Sequence, residues 1–186
     1  ISFHLQFVDE NKQVTGISQK YALDYNTVMT GHKALIDGYQ PSSACLFMYK
    51  TEFISENNLA FFRGIMQEDV EFTVRLLLHA KKILFTDKVG YNYYRRSDSM
   101  TTTLSTSRIE KYLSDSIIVA TQIKNNTTLV DDPKVVEAIE KNYNSVTWNL
   151  LFRFLTKPQE VSYAFKVQCL GELKSNNLYP VKGSLK

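Results

Sequence analysis

The sequence predicts an α/β fold, a mixed sheet with helices that gives way to a helical tail, on three observations. Residues 1–17 alternate apolar and polar around a polar turn, the pattern of a β-hairpin. Residues 69–82 carry apolar side chains at helical spacing and run straight into a Tyr-rich stretch of strand composition. Beyond Thr103 the periodicity is helical throughout.

Bulk composition bounds the answer. A chain of 186 residues holds one ordinary domain, or one domain and an appended helical lobe. Its 44% apolar and 22% charged residues are those of a globular protein with a real core. The net charge of +3 is mild and the Lys and Arg are dispersed, which argues against a nucleic-acid binder. Cys45 and Cys169 lie far apart in unlike contexts, and His4, His32 and His79 share no ligand spacing. This predicts a reducing, cytoplasmic compartment and no metal site built by this chain alone. No apolar run reaches the roughly 20 residues that span a bilayer. The first residue is Ile and opens directly into a strand pattern, which predicts a trimmed piece of a longer protein.

Taken in order, Phe3, Leu5 and Phe7 alternate with Ser2, His4 and Gln6. Asp9-Glu10-Asn11-Lys12 makes the turn, and Val14 to Ile17 returns. Asn26 to Leu35 reads as a helix capped by Asn26, with Val28, Met29 and Leu35 on its buried side. Gly38-Tyr39-Gln40-Pro41 is a turn or loop. Cys45 to Tyr49 is an apolar strand or buried turn, Lys50 to Asn58 a brief helix, and Phe61 to Gly64 a loop. Asp69 to Lys82 is an amphipathic helix with Val70, Val74, Leu77 and Leu78 on one stripe. Acids open it and Lys81-Lys82 close it, matching its dipole.

Two strands are expected next, Ile83 to Thr86 and Val89 to Tyr94, separated by Asp87-Lys88. On the second, Tyr91 and Tyr93 share a face and are expected to pack in the core, with Tyr94 opposite. The Ser/Thr-dense stretch 97–107 is the linker candidate, dividing residues 1–103 from a tail of 104–186. In the tail, one helix runs from about Ser107 to Lys124. A second is capped by Asp131-Asp132-Pro133 and runs to Leu155, where Lys157-Pro158 breaks it, and a third spans Gln159 to Leu173. The run from Trp148 to Leu155 is read as a helix buried on its neighbours, with peripheral contact at the inner face of a membrane as the alternative.

The informative stretch is 44–101. An apolar-aromatic-Lys segment, Phe47 to Lys50, leads into a helix ending in E-N-N-L-x-F. Then E-D opens the amphipathic helix, and a Tyr-x-Tyr strand runs into R-R-x-x-S-M-T. In order and spacing this resembles the second half of family 2 glycosyltransferases that build bacterial surface polysaccharides, although no single element is specific. The resemblance covers about a third of the chain and implies a partial GT-A, or nucleotide-diphospho-sugar transferase, fold. It also implies a nucleotide-diphospho-sugar donor and a glycan or lipid-linked acceptor.

By that resemblance Asp69 is the general base, taking the proton of the acceptor hydroxyl as its oxygen displaces the nucleotide, and Glu68 beside it holds the loop or bonds an acceptor hydroxyl. The helix's positive end is expected to keep Asp69 ionised. The plainer reading is that both acids complement the helix dipole, worth about 0.3–1 kcal/mol each. Arg95 and Arg96 stand where the family often contacts the donor diphosphate, for which a guanidinium fork is suited, or are an exposed pair at a strand end. Ser99 and Thr101 add hydroxyl donors or belong to the linker. Lys50 reaches an acceptor or phosphate, or is solvated. The family's Mg²⁺- or Mn²⁺-binding D-x-D and its nucleotide-binding units are expected upstream, and no D-x-D occurs in this chain. The resemblance therefore implies that these residues alone bind no metal and turn nothing over without an N-terminal half of the same domain. The rival expectation is a non-catalytic carbohydrate-binding or protein-interaction module.

Overall fold

The computed structural model describes residues 1–18, 21–94 and 105–181. It is α/β: a four-stranded mixed sheet, four helices of six to twenty-four residues packed on or beyond it, and two more in the surrounding loops and tail. β1 (Ser2–Val8) and β2 (Val14–Ile17) are the expected antiparallel hairpin. Asp9 fastens its turn, accepting from the Asn11 and Gln13 amides at 2.9 and 2.8 Å.

β4 (Ile83–Tyr94) lies parallel to β1, giving the order β2-β1-β4-β3. It is one strand where two were expected. Ser2 faces Phe85 and His4 faces Val89, so Asp87 and Lys88 sit in a bulge that the ladder bridges. Polar residues read as a break because a bulge leaves the same sequence signature as a turn. A second irregularity falls at Gly90, where an added Cβ would lie 2.4 Å from the Phe3 ring. Tyr93 packs edge-on against Phe7 at 5.9 Å, but Tyr91 is exposed, contrary to the core placement expected for it.

The helix expected from Asn26 is shorter and later. Val28–Met29 forms β3, pairing antiparallel with Leu84 and Ile83. Asn26 is left-handed, with φ 63°, and its amide donates to the Phe85 carbonyl. α1 (Gly31–Ile36) starts after Thr30, whose hydroxyl caps the Lys33 amide at 3.1 Å. The 3₁₀ turn Ala44–Leu46 and α2 (Thr51–Glu56) follow as expected.

α3 (Glu68–His79) is the hub of the molecule. The single apolar stripe read from sequence describes only part of its burial, since Phe72, Leu76 and Leu77 pack into a core under the sheet. Val74, with Val70 and Leu78, packs into a second core among the tail helices. The helix ends at His79, so Lys81 and Lys82 lie exposed past it rather than in its last turn. α1 crosses α3 so closely that a Cβ on Gly31 would lie 2.0 Å from the Leu77 carbonyl oxygen.

The tail is α4 (Thr106–Asn125), α5 (Pro133–Thr156) and α6 (Tyr163–Ser175). α4 begins at Thr106 on a Ser105 cap, one residue before the start expected near Ser107, and α5 begins on Asp132 with Pro133 in its first turn, as read from sequence. α6 starts four residues later than expected, because Pro158–Glu160 forms a separate 3₁₀ turn and Ser162 is the cap. Leu113, Ile117, Ile123, Val135, Ile139 and Leu173 are all at most 3% exposed and build the second core. The apolar run on α5 is divided: Leu150 is buried in this core, while Phe152 and Leu155 are 50% and 72% exposed. No described helix is long and apolar enough to cross a membrane.

Candidate functional site

Asp69 sits in the first turn of α3, and the loop before it is fixed by the tail. Gln67 adopts the left-handed conformation, φ 65° and ψ 26°, and turns the chain into the helix without a side-chain cap. Its amide nitrogen instead reaches α4, donating to the Ser116 hydroxyl at 2.7 Å. One residue earlier, the Met66 amide donates to the buried Asp115 carboxylate at 2.7 Å. Lys111 completes the clasp, bonding Asp115 at 2.8 Å and the Gly64 carbonyl at 2.9 Å. A carboxylate on a helix tip held from both sides keeps one position, which any positioned acid or base requires.

The carboxylate itself is half-buried. Burial raises its pKa above the ordinary aspartate range, and the neighbouring Glu68 adds to the rise. The Val70 amide, 2.9 Å away, and the Ser43 hydroxyl oppose that shift without cancelling it. The helix dipole is expected to keep Asp69 ionised, and burial with the Glu68 charge acts against it by raising the pKa.

A cleft of about 400 Å³ lies between the loop at Gln40–Ser42, the start of α3, and the facing sides of α4 and α5, and its lining residues do not include Asp69 or Glu68. Gln67 and Val70, which bracket Asp69, both line it. Tyr112 of α4 lines it too. Its hydroxyl is pushed above the ordinary value chiefly by burial, with Arg153 opposing and Asp69 contributing, so phenol and carboxylate lie within electrostatic reach. A cleft of this size is large enough for a small molecule.

Of the other residues singled out in the sequence, Glu68 is brought beside Asp69. Lys50 is exposed at the start of α2, and its only described role is as the residue preceding that helix. Arg95, Arg96, Ser99 and Thr101 lie outside the described residues. Among those described, no group of three His, Cys, Asp or Glu side chains is close enough to hold a cation, so the residues present do not fit the metal that the resemblance implies. Both cysteines are free, and burial pushes the Cys169 thiol up to about 11.

Sequence reading missed Asp115, Ser116 and Gln67. The one available signal was the polar triplet Ser114-Asp115-Ser116 between the core residues Leu113 and Ile117. Nothing local marked it as the partner of a loop almost fifty residues away.

Comparison with known proteins gives one informative result. The chain is 28% identical over 107 residues to the processive diacylglycerol beta-glycosyltransferase of Mycoplasma genitalium, a match covering 56% of this chain and 31% of that protein. It supports a distant relationship to glycosyltransferases, and the matched part spans less than a third of the relative's length. No family model matches the chain. No solved structure matches it either.

Proposed function

We propose that this chain is the acceptor-side portion, residues 1–103, of an inverting GT-A glycosyltransferase of family 2, with residues 104–186 as its helical tail. The whole enzyme moves a sugar from a nucleotide-diphospho-sugar to a glycan or lipid-linked acceptor in surface polysaccharide synthesis, and these residues alone turn nothing over. The observation that carries the reading is Asp69, half-buried at the tip of α3 with its pKa raised by burial and by the neighbouring Glu68. The glycosyltransferase relative supports the reaction class, and its name describes transfer to diacylglycerol.

In this reaction the acceptor oxygen forms its bond to the anomeric carbon as the bond to the diphosphate breaks, with the electron pair leaving on the nucleotide diphosphate. Asp69 accepts the hydroxyl proton. The attacking hydroxyl becomes strongly acidic only as that bond forms, so a carboxylate suffices as the base. Its raised pKa brings it nearer the working pH than an ordinary aspartate. Glu68 sustains that rise. Arg95, Arg96, Ser99 and Lys50 are assigned to the donor diphosphate and the acceptor. The donor's metal belongs to sequence outside this chain, and no step here passes through it. Exposed Phe152 and Leu155 support a peripheral contact with the inner face of the membrane, where a lipid-linked acceptor would lie.

The test is Asp69→Asn in the full-length parent. Transfer is expected to vanish while donor binding, measured by calorimetry, is kept. Unchanged turnover would refute the assignment of the base.

A further inference from the structure

The cleft at the start of α3 has a wall that the transfer reaction does not explain. α5 is a core helix, yet it presents Asn142, Ser145, Asn149 and Arg153 to the cleft. Their spacing of three, four and four places them on one face, a polar stripe along the cavity. The Asn142 amide nitrogen is taken up by the Ala138 carbonyl at 2.8 Å, which leaves its oxygen as an acceptor. Ser145 and Asn149 bond no other described residue and keep their full hydrogen-bonding capacity.

The charge of this wall is specific as well. Arg153 is the one ionisable Lys, Arg, Asp or Glu among the described lining residues, and its Nε donates to Glu160 at 2.6 Å. Glu160, which Lys157 also meets at 3.7 Å, pairs it through that nitrogen. What remains is a set of amides and hydroxyls beside the Tyr112 ring, chemistry suited to the hydroxyls and apolar face of a sugar and poorly suited to a phosphate, which calls for unpaired cations or a cluster of free N–H groups. About 400 Å³ falls within the roughly 300–1,000 Å³ of small-molecule sites.

From this placement we infer that the cleft between α4 and α5 binds an uncharged glycosyl unit, with Asn142, Ser145 and Asn149 of the tail as its hydrogen-bonding wall. The inference rests on the glycosyltransferase reading, and it makes the tail helices a part of substrate selection.

The experiment is a ¹H–¹⁵N NMR titration of the 186-residue chain, which requires no turnover. The probes are methyl β-glucopyranoside, methyl β-galactopyranoside, lactose and cellobiose, against glucose 6-phosphate and inorganic phosphate. Saturable shifts at Ser145 and Asn149 are expected with at least one neutral glycoside and with neither anion. Asn149→Leu and Asn142→Leu, each with an otherwise native spectrum, are expected to weaken binding roughly threefold to tenfold, the worth of one hydrogen bond. Three results would each overturn the inference: no saturable shift with any neutral glycoside, preferential binding of the anions in the cleft, or unchanged affinity in both variants. Because Asp69 is untouched, failure here leaves the catalytic assignment to its own test, and loss of that assignment leaves this binding measurable.

Discussion

The buried carboxylate of Asp115, on α4, accepts a hydrogen bond of 2.7 Å from the backbone amide of Met66, three residues before Asp69. The bond ties the tail to the loop that presents the proposed base. Its reach is forty-nine residues, across a stretch of sequence that reads as a linker.

Removing that tie has a local and a global consequence. Asp115→Ala leaves the Met66 amide without its partner, and a hydrogen bond to a charged group contributes about 1.5–3 kcal/mol. Lys111 is half exposed, so its ion pair with Asp115 adds little. The urea midpoint is expected to fall accordingly. Hydrogen exchange at Met66 and Gln67 is expected to quicken more than in the centre of α5. Equal protection at Met66 in the variant and the parent chain would dismiss the clasp.

Gly31→Ala tests the crossing of α1 on α3. The new Cβ would meet the backbone of Leu77, which cannot rotate aside as a side chain can. Overpacking of this kind is expected to cost at least about 3 kcal/mol, seen as a lowered thermal midpoint. A change within about 0.5 kcal/mol would mean that the two helices separate freely.

The pKa of Asp69 makes a prediction about stability. It is raised in the folded chain, so folding favours the protonated form. The stabilisation is full below the unfolded value of an aspartate and is lost as pH rises through the higher folded value. Asp69→Asn, which cannot ionise, is therefore expected to be more stable than the native chain near neutral pH, and the difference is expected to shrink toward acid. Denaturation at a series of pH values measures this; a less stable Asn variant at neutral pH would contradict the burial.

Glu68→Gln follows from the same cause. Burial is the larger contribution and stays, while the like charge is removed. The Asp69 titration, followed by ¹³C NMR of its carboxyl, is expected to move to lower pH but to remain above the ordinary aspartate range. In the full-length parent, the acid limb of the rate profile would move in the same direction.

Asp132→Ala is a calibration of the tail. The side chain caps α5 through the Lys134 amide at 2.9 Å, and loss of such a cap costs about 1 kcal/mol. A smaller effect on the urea midpoint than on the local exchange of residues 134–136 would show that the end frays without loosening the core.

The sequence by itself determined the α/β class, the hairpin, the E-D helix, the three tail helices and the capped start of α5. Each of these is written in contiguous residues, as a periodicity or a cap whose physics acts within one or two turns. The tertiary structure decided what those elements do to one another. Asp87 and Lys88 bulge instead of turning because β1 continues to pair on either side of them, and Val28 and Met29 leave a helix for a strand because β4 offers an edge. α3 is buried on both faces because the tail helices cover Val70 and Val74 of the apolar stripe while the core under the sheet takes Phe72 and Leu76, which lie off it. The surroundings of Asp69 lie furthest from the reach of pattern. Glu68, which adds to its raised pKa, is its sequence neighbour, but its burial and the tie from Asp115 to the loop before it depend on residues far apart in sequence, whose contact is fixed by packing and leaves no periodic mark on the chain.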